Sequence, residues 1–185
     1  YGYTVYISDY LKKENKLKSY VNFAVSGYTT EDVNNDINYN KNIKIDNKEI
    51  NIKKALRESD LVTISIGAND FLGEFKLTSI PSLLEDKNYA LKRINSIFDS
   101  IDTTLELVMK YAKGTIIVVG YYNPLPYLEK YEDQINEIVD YADQKYQELC
   151  DKHDIYYVKV SDEIAKNKEY LPNPLVIHPS KKGYE

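Results

Sequence analysis

Residues 61–71 read LVTISIGANDF, and this stretch decides the fold class. Its first six residues are mostly apolar and partly β-branched, and Gly67 follows them, which predicts a buried strand over residues 61–66. Asn69 and Asp70 come directly after this strand, where ligands bind in an open α/β sheet. A neutral amide at that position can stabilise negative charge that appears only in a transition state. The simpler interpretation is that Asn69 and Asp70 cap the helix that follows.

Helices and strands alternate along the rest of the chain. The spacing of apolar residues predicts helices over residues 3–15, 49–59, 87–112, 132–150 and 162–168, a short helix from about residue 30, and strands over residues 19–25, 61–66, 115–119 and 155–160. This order predicts a parallel sheet with helices on both faces. The polar segment 38–50 is predicted to hold a small hairpin at Asp46-Asn47, and residues 71–81 are predicted to be irregular.

Helix boundaries have their own signals. Thr29, with Asp32 three residues later, predicts a capping box at the start of the short helix. Gly114 suits the position just after the long helix, and Ser161 can cap the helix over residues 162–168.

The composition fits one domain of 185 residues, of which 43% are hydrophobic. The net charge is −5 without a basic stripe, so nucleic acid is not expected as a partner, and no run of 18 apolar residues occurs that would span a membrane.

The one cysteine, Cys150, excludes an internal disulfide and is expected to be a buried apolar residue. The chain lacks metal-ligand spacings and glycine-rich phosphate motifs, which argues against a flavodoxin-like nucleotide-binding protein.

Three short segments carry candidate site residues. The turn at Ser26-Gly27 and Asn69 both follow predicted strands, so they emerge at the same edge of a parallel sheet. The backbone N–H of Gly27 and the side-chain amide of Asn69 could then converge on one oxygen atom. His178 lies in a proline-bounded loop and could act as a general base. The other histidine, His153, lies among charged residues and is expected to be a solvated surface residue.

These segments resemble three sequence blocks of the SGNH (GDSL-type) hydrolases, closest to the bacterial lipase/acylhydrolase-like branch. Residues 22–30, NFAVSGYTT, are similar to the block whose glycine gives its N–H to the oxyanion hole. Gly67-Ala68-Asn69-Asp70 matches the Gly-x-Asn-Asp block, whose asparagine is the second donor. Residues 178–184, HPSKKGY, resemble the block with the general-base histidine. Three blocks in the family's order cover nearly the whole chain, and this agreement is stronger than any single motif.

The resemblance implies a three-layer α/β/α, flavodoxin-like fold with a parallel sheet, forming a single domain over residues 1–185. It implies hydrolysis of a small-molecule or lipid ester through an acyl-enzyme, with His178 as the base and with Gly27 and Asn69 holding the oxyanion. This chemistry requires no metal ion and no organic cofactor. The resemblance also implies a secreted or cell-surface protein.

The family's Gly-Asp-Ser block, which carries the nucleophilic serine at the end of the first strand, does not occur in this sequence. The helix predicted over residues 3–15 resembles the one that follows that block, so we expect a domain truncated at both ends, without its first strand. In the family, that strand lies between the strands predicted at 19–25 and 61–66. Without that strand, the backbone N–H and C=O groups of its two neighbours would stay unpaired inside the sheet, so we expect another segment to fill its place. The segment would come from sequence beyond these residues, a separate fragment, or an exchanged segment of a neighbouring molecule.

The family usually has an aspartate three residues before the histidine, and Leu175 stands there in this chain. Leucine can neither orient the imidazole nor stabilise its charged form. The site is then a Ser–His dyad, or a backbone carbonyl orients the ring, or activity is low. A catalytically impaired SGNH-like binding domain is the alternative. Ser26 and Ser65 lack the exposed, sharply turned position of a nucleophile, and Asp70 is expected to fix its loop by hydrogen bonds.

Overall fold

A parallel sheet with helices packed against it forms the framework of the protein. The computed structural model describes residues 2–45, 47–74, 86–173 and 176–185. The helices of this part are α1 (Tyr3–Lys13), α2 (Thr30–Asn38), α3 (Ile52–Glu58), α4 (Ala68–Glu74), α5 (Lys87–Met109), α6 (Glu132–His153), α7 (Ser161–Ala165) and α8 (Lys181–Tyr184). The strands are β1 (Asn42–Ile45), β2 (Lys48–Asn51), β3 (Leu61–Ile64), β4 (Thr115–Val119) and β5 (Tyr156–Val158).

Strands β3, β4 and β5 are hydrogen-bonded in that order, and both pairs are parallel. Val62 is level with Ile116, and Val118 is level with Tyr157. Parallel strands need long crossover connections, and α5 and α6 provide them because each helix lies in the chain between two neighbouring strands. The prediction of an α/β fold with a parallel sheet is therefore confirmed.

One face of the sheet carries the main core. Ile116 and Val118 of β4 are both buried, and they share this face because residues two apart lie on the same side of a strand. The side chains of α5 and α6 in the cluster with Val118 are Ile94, Ile97, Phe98, Ile101, Leu105, Tyr146 and Cys150. Leu105 and Cys150 are fully buried, which confirms the expected apolar stripe of the long helix and the buried cysteine.

The opposite face of the sheet is less buried. Ile117 and Val119 of β4 are only half-buried on this side. The phenol of Tyr3 in α1 lies beside the side chain of Thr63 in β3, so α1 approaches the sheet from this face. Within the described ranges, no helix is both long and apolar enough to cross a membrane.

Strand β4 ends against a tyrosine of β5. The N–H of Gly120 donates to the carbonyl of Val158 at 2.9 Å. The ring of Tyr157 lies so close to Gly120 that a Cβ atom there would collide with the tyrosine hydroxyl. Tyr157 also stacks on Tyr146, with the ring centroids 5.6 Å apart, and donates a hydrogen bond to the buried carboxylate of Asp143.

Residues 19–25 do not form a strand, which corrects the prediction from their apolar pattern. A strand needs a hydrogen-bonding neighbour, and the described residues provide none for this segment. Phe23 nevertheless packs against the buried cluster of Ile37, Ile52, Val108 and Ile116. Strand β3 is paired with β4 alone among the described residues, so its other edge is open.

The hairpin prediction is confirmed, and it changes the start of the next helix. Strands β1 and β2 pair antiparallel, with Ile43 level with Ile50. Of the predicted turn residues, Asn47 has a φ of 62°, and Asp46 lies outside the described residues. Because residues 48–51 belong to β2, α3 begins at Ile52, three residues after the predicted start.

Other boundaries also differ from the predictions. α4 extends to Glu74, where the sequence predicts irregular chain, and β3 already ends at Ile64. α5 ends at Met109, so Gly114 is not its cap residue. Gly114 instead lies against the carbonyl oxygens of Ser59 and Asp60, too close for any Cβ atom.

Two polar residues have surroundings that differ from those predicted. His153, at the end of α6, has a side chain only 10% exposed, and its Nε2 lies 2.5 Å from a carboxylate oxygen of Asp102. The expectation of a solvated residue is therefore wrong. Ser161 begins α7 but makes no capping hydrogen bond, because its hydroxyl donates to Asp143 at 2.5 Å.

Candidate active site

The turn that contains Gly27 is fixed by the helix that follows it. Gly27 has a φ of 85°, a backbone conformation that favours glycine, and the residue is exposed. Thr29 accepts a hydrogen bond from the backbone N–H of Asp32, and the Asp32 carboxylate accepts from the N–H of Thr29. This capping box confirms the predicted start of α2 and holds the turn at the helix N-terminus.

Asn69 and Asp70 lie in the first turn of α4, directly after β3. The side-chain amide of Asn69 donates to the carbonyl of Tyr28 at 2.9 Å. Asp70 accepts from the backbone N–H of Thr30 at 3.1 Å and from its hydroxyl at 2.5 Å. The two side chains therefore join the end of β3 to the turn at Gly27 and do not merely cap α4.

The hydrogen bond to Tyr28 uses only part of the donor capacity of Asn69. A carboxamide nitrogen carries two hydrogens, and among the described residues the nitrogen of Asn69 makes this one hydrogen bond, so its other N–H can serve a ligand. The first bond fixes the plane of the amide and with it the direction of the second N–H. Such a pre-oriented neutral donor is what stabilisation of an oxyanion needs.

The backbone before Asn69 is held from the core. Gly67 has a φ of 109° and is buried against Ile101 and Tyr146. The hydroxyl of Tyr146 donates to the carbonyl of Ile66 at 2.5 Å. Burial raises the pKa of Tyr146 well above its ordinary value, so this hydroxyl keeps its proton at neutral pH.

A second tyrosine reaches the same turn from β4. The phenol of Tyr121 lies beside the side chain of Ser65 and the backbone of Ala68. Burial raises the pKa of Tyr121 more than these two neighbours lower it, so the phenol stays neutral. Residues 65–68 thus have contacts from β4 as well as from α6.

His178 is exposed and follows a residue that is tied to the sheet edge. The carbonyl of Ile177 accepts a hydrogen bond of 2.9 Å from the hydroxyl of Tyr122, which follows β4. After His178, the N–H of Ser180 donates to the carbonyl of Tyr170 at 2.8 Å. Leu175, the residue in the place of the family's aspartate, lies outside the described residues.

The structure joins some of the predicted site residues by a direct hydrogen bond and others only through a third residue. The structure brings the Gly27 turn and Asn69 together directly, and it links the His178 loop to the same carboxyl edge through Tyr122. No hydrogen bond among the described residues joins His178 to Asn69, Ser26 or Ser65. Both serines are exposed residues.

A group of possible metal ligands that the sequence pattern missed lies at the opposite edge of the sheet. Ligand atoms of Asp102, Glu106 and His153 all lie within 4.8 Å of one another. One oxygen of Asp102 already accepts from Lys152 at 2.5 Å, and the other lies 2.5 Å from His153. Asp102 and Glu106 lie on α5 and His153 lies on α6, about 50 residues later in the chain. No local sequence spacing therefore indicates this group.

Solved structures with the same fold are, according to their names, lipolytic enzymes and esterases. The lipase Lip_vut3 from a goat rumen metagenome is 19% identical, with a TM-score of 0.76, over 100% of this chain and 83% of its own. A variant of Axe2, an acetyl xylan esterase from Geobacillus stearothermophilus, is 17% identical, with a TM-score of 0.68, over 100% and 76%. A member of the lipolytic G-D-S-L family from Veillonella parvula is 14% identical, with a TM-score of 0.60, over 99% and 81%.

The fold is that of the SGNH hydrolases, as the sequence predicts. The whole chain, residues 1–185, matches the GDSL-like lipase/acylhydrolase family, and the chain belongs to this family of hydrolases. Among proteins with curated functions, none matches this chain.

Proposed function

We propose that the intact protein hydrolyses carboxylic esters at the carboxyl edge of the sheet. The N–H of Gly27 and the second N–H of the Asn69 amide hold the oxyanion, and His178 moves the proton. The observation that carries this proposal is the hydrogen bond from Asn69 to the carbonyl of Tyr28, because it holds one candidate donor beside the turn that contains the other. Removing one oxyanion donor typically raises the barrier by about 2.7–4 kcal/mol.

The reaction has two steps. A serine Oγ attacks the ester carbonyl carbon while His178 takes the hydroxyl proton, and the oxyanion then collapses and breaks the bond to the alcohol. The alcohol leaves with the proton from the imidazole. In the second step, the same imidazole takes a proton from a water molecule, which attacks the acyl carbon. The bond from that carbon to the serine Oγ then breaks, and the imidazole returns the proton to Oγ as the acid leaves.

The nucleophilic serine of this proposal lies outside residues 1–185, on a strand that joins the open edge of β3. Two observations support this placement. The Gly-Asp-Ser block does not occur in the sequence, and β3 has one unpaired edge among the described residues. The strand would come from an N-terminal segment or from an exchanged equivalent in a second molecule, and it would complete a single SGNH domain.

The proposed substrate is a small-molecule or lipid ester. Lip_vut3 is a lipase and Axe2 is an acetyl xylan esterase by name, so this fold serves different esters. From the resemblance, we also propose a secreted or cell-surface location. Cell fractionation tests it, and recovery of the full-length protein in the cytoplasm alone contradicts it.

A second candidate function is that of a catalytically impaired SGNH-like binding domain. It is favoured by Leu175, because a leucine cannot orient the imidazole of His178 or stabilise its cation. This domain would keep the fold and the cleft without turnover.

A fluorophosphonate probe on the full-length protein separates the two functions. The esterase predicts covalent labelling of a serine upstream of Tyr1, located by mass spectrometry, and loss of labelling in His178→Ala. Absence of labelling in the wild-type protein supports the binding domain. Labelling of Ser26 or Ser65 contradicts the proposed place of the nucleophile.

A further inference from the structure

Two adjacent tyrosines follow β4 and reach two different loops. Tyr121 and Tyr122 come directly after Gly120, whose N–H is bonded to β5 through Val158 at 2.9 Å. The backbone just before the two tyrosines is therefore held at the carboxyl edge of the sheet.

Tyr121 contacts the loop that carries Asn69. Its phenol lies beside the Ser65 side chain and the backbone of Ala68, which immediately precedes Asn69. Its ring also packs against Tyr146, with the ring centroids 6.2 Å apart, and the Tyr146 hydroxyl donates to the carbonyl of Ile66 in the same loop. A change at Tyr121 would therefore alter the backbone from which the Asn69 amide projects.

Tyr122 contacts the loop that carries His178. Its hydroxyl donates to the carbonyl of Ile177 at 2.9 Å, and Ile177 immediately precedes His178.

We propose that Tyr121 and Tyr122 are positioning residues that set the distance between the Asn69 amide and the His178 imidazole. The inference rests on the proposed function, because it assigns both loops to one reaction. The Tyr122 hydroxyl holds the residue just before the base, and the Tyr121 phenol lies against the residue just before the oxyanion donor. Since the tyrosines are neighbours in the chain, the two loops are fixed to a single short segment of backbone.

The physical need for such a segment is clear from the chemistry. The oxyanion donor and the base must act on atoms of the same tetrahedral centre, and a misplacement of 1 Å can cost about 10²-fold in rate. The loops come from positions more than 100 residues apart in the chain. Among the described residues, no hydrogen bond joins His178 to Asn69, and each of the two adjacent tyrosines contacts one of the two loops.

The test uses phenylalanine variants of the full-length protein, with kcat and KM measured on a p-nitrophenyl ester. Tyr121→Phe and Tyr122→Phe remove one hydroxyl each and keep the ring. Both variants are expected to lower kcat roughly tenfold, with KM changed less than twofold, because orientation and not binding is lost. Tyr127→Phe is the matched control, since the hydroxyl of Tyr127 also donates to a carbonyl at 2.9 Å, that of Leu171.

Double variants with Asn69→Ala separate positioning from a general loss of structure. If Tyr121 acts through Asn69, Tyr121→Phe causes less than a twofold further loss in the Asn69→Ala background. Tyr122→Phe keeps its tenfold effect there, because it acts through the histidine loop. For Tyr121, a purely structural role would lower both backgrounds equally, whereas for Tyr122 the separation of kcat from KM is the criterion.

The outcomes distinguish this inference from the proposed function. If Asn69→Ala lowers kcat but both tyrosine variants behave like Tyr127→Phe, the positioning role is rejected and the esterase stands. If Asn69→Ala leaves kcat unchanged, the proposed oxyanion hole is itself rejected, and the positioning role falls with it. Equal losses from Tyr121→Phe in both backgrounds also overturn the positioning role.

Discussion

The carboxylate of Asp70 accepts hydrogen bonds from both the backbone N–H and the hydroxyl of Thr30, a residue 40 positions earlier in the chain. Thr30 is 3% exposed and is the first residue of α2. The first turn of α4 and the first turn of α2 are thereby joined beside the turn at Gly27. Asp70 therefore supports the turn of the candidate oxyanion hole, and its replacement is the first prediction.

Replacing Asp70 by Asn is expected to destabilise the protein by about 1–3 kcal/mol, the cost of weakening hydrogen bonds to a charged, partly buried group. Urea denaturation measures this change in the free energy of unfolding. Asp9→Asn, an exposed position on α1, is the control and should change it by less than about 0.5 kcal/mol. Equal stability of the two variants would show that the Asp70–Thr30 contact contributes nothing.

Replacing Asn69 by Ala is expected to lower kcat of the full-length protein by about 10²–10³, because an oxyanion donor is lost. The stability should fall by only about 0.5–1.5 kcal/mol, from the missing hydrogen bond to Tyr28. Ester hydrolysis and urea denaturation measure the two effects. Asn51→Ala, which also removes hydrogen bonds of a side-chain amide, should leave kcat unchanged because Asn51 caps α3 on the hairpin side.

Alanine at Gly67 is expected to cost more stability than alanine at Gly27. Both glycines have positive φ, which costs a residue with a Cβ about 1–2 kcal/mol. At Gly67, a Cβ would also lie 2.7 Å from Cδ1 of Ile101, which adds about 1–3 kcal/mol of overpacking. At Gly27, nothing lies within 4 Å of an added Cβ. Thermal denaturation of both variants compares them, and a larger loss at Gly27 would contradict the packing described for Gly67.

The ion pairs of Asp102 should make stability depend on acid pH. Burial raises the pKa of this carboxyl, but the hydrogen bonds from Lys152 and His153 outweigh burial and hold the pKa below its ordinary value. A lowered pKa in the folded state stabilises the protein above about pH 3.9, the unfolded value, and the gain is lost as the pH falls through the folded pKa. Asp102→Asn should therefore cost about 0.5–1 kcal/mol at pH 7 and less near pH 3.

Urea denaturation at the two pH values measures this difference. Asp99→Asn, one turn earlier on the exposed side of α5, serves as the control and should change the free energy of unfolding at pH 7 by less than about 0.5 kcal/mol. An equal effect of Asp102→Asn at both pH values would mean that the contacts with Lys152 and His153 do not stabilise the fold.

Local sequence signals predicted much of the architecture. The alternation of apolar strands with long amphipathic helices predicts a parallel sheet, and the structure confirms it in β3, β4 and β5. The capping box at Thr29 and Asp32 is likewise a signal carried by four consecutive residues. Such features need no information from distant parts of the chain.

The predictions failed where a neighbour in space decides the structure. Residues 19–25 have the apolar pattern of a strand, but a strand exists only where another strand pairs with it. His153 is partly buried because Asp102, 51 residues away, approaches it. The tyrosine contacts with Ala68 and Ile177 have the same character, since nothing in the pattern around Tyr121 and Tyr122 indicates which loops they reach.

The close approach of Tyr157 to Gly120 has a consequence for how these two positions can vary together. Any side chain at 120 would displace the ring that stacks on Tyr146 and binds Asp143. In a randomised library selected for folding, we expect alanine at 120 to survive only alongside a smaller residue at 157. Pairwise substitution frequencies from deep sequencing would then record this contact without any knowledge of the coordinates.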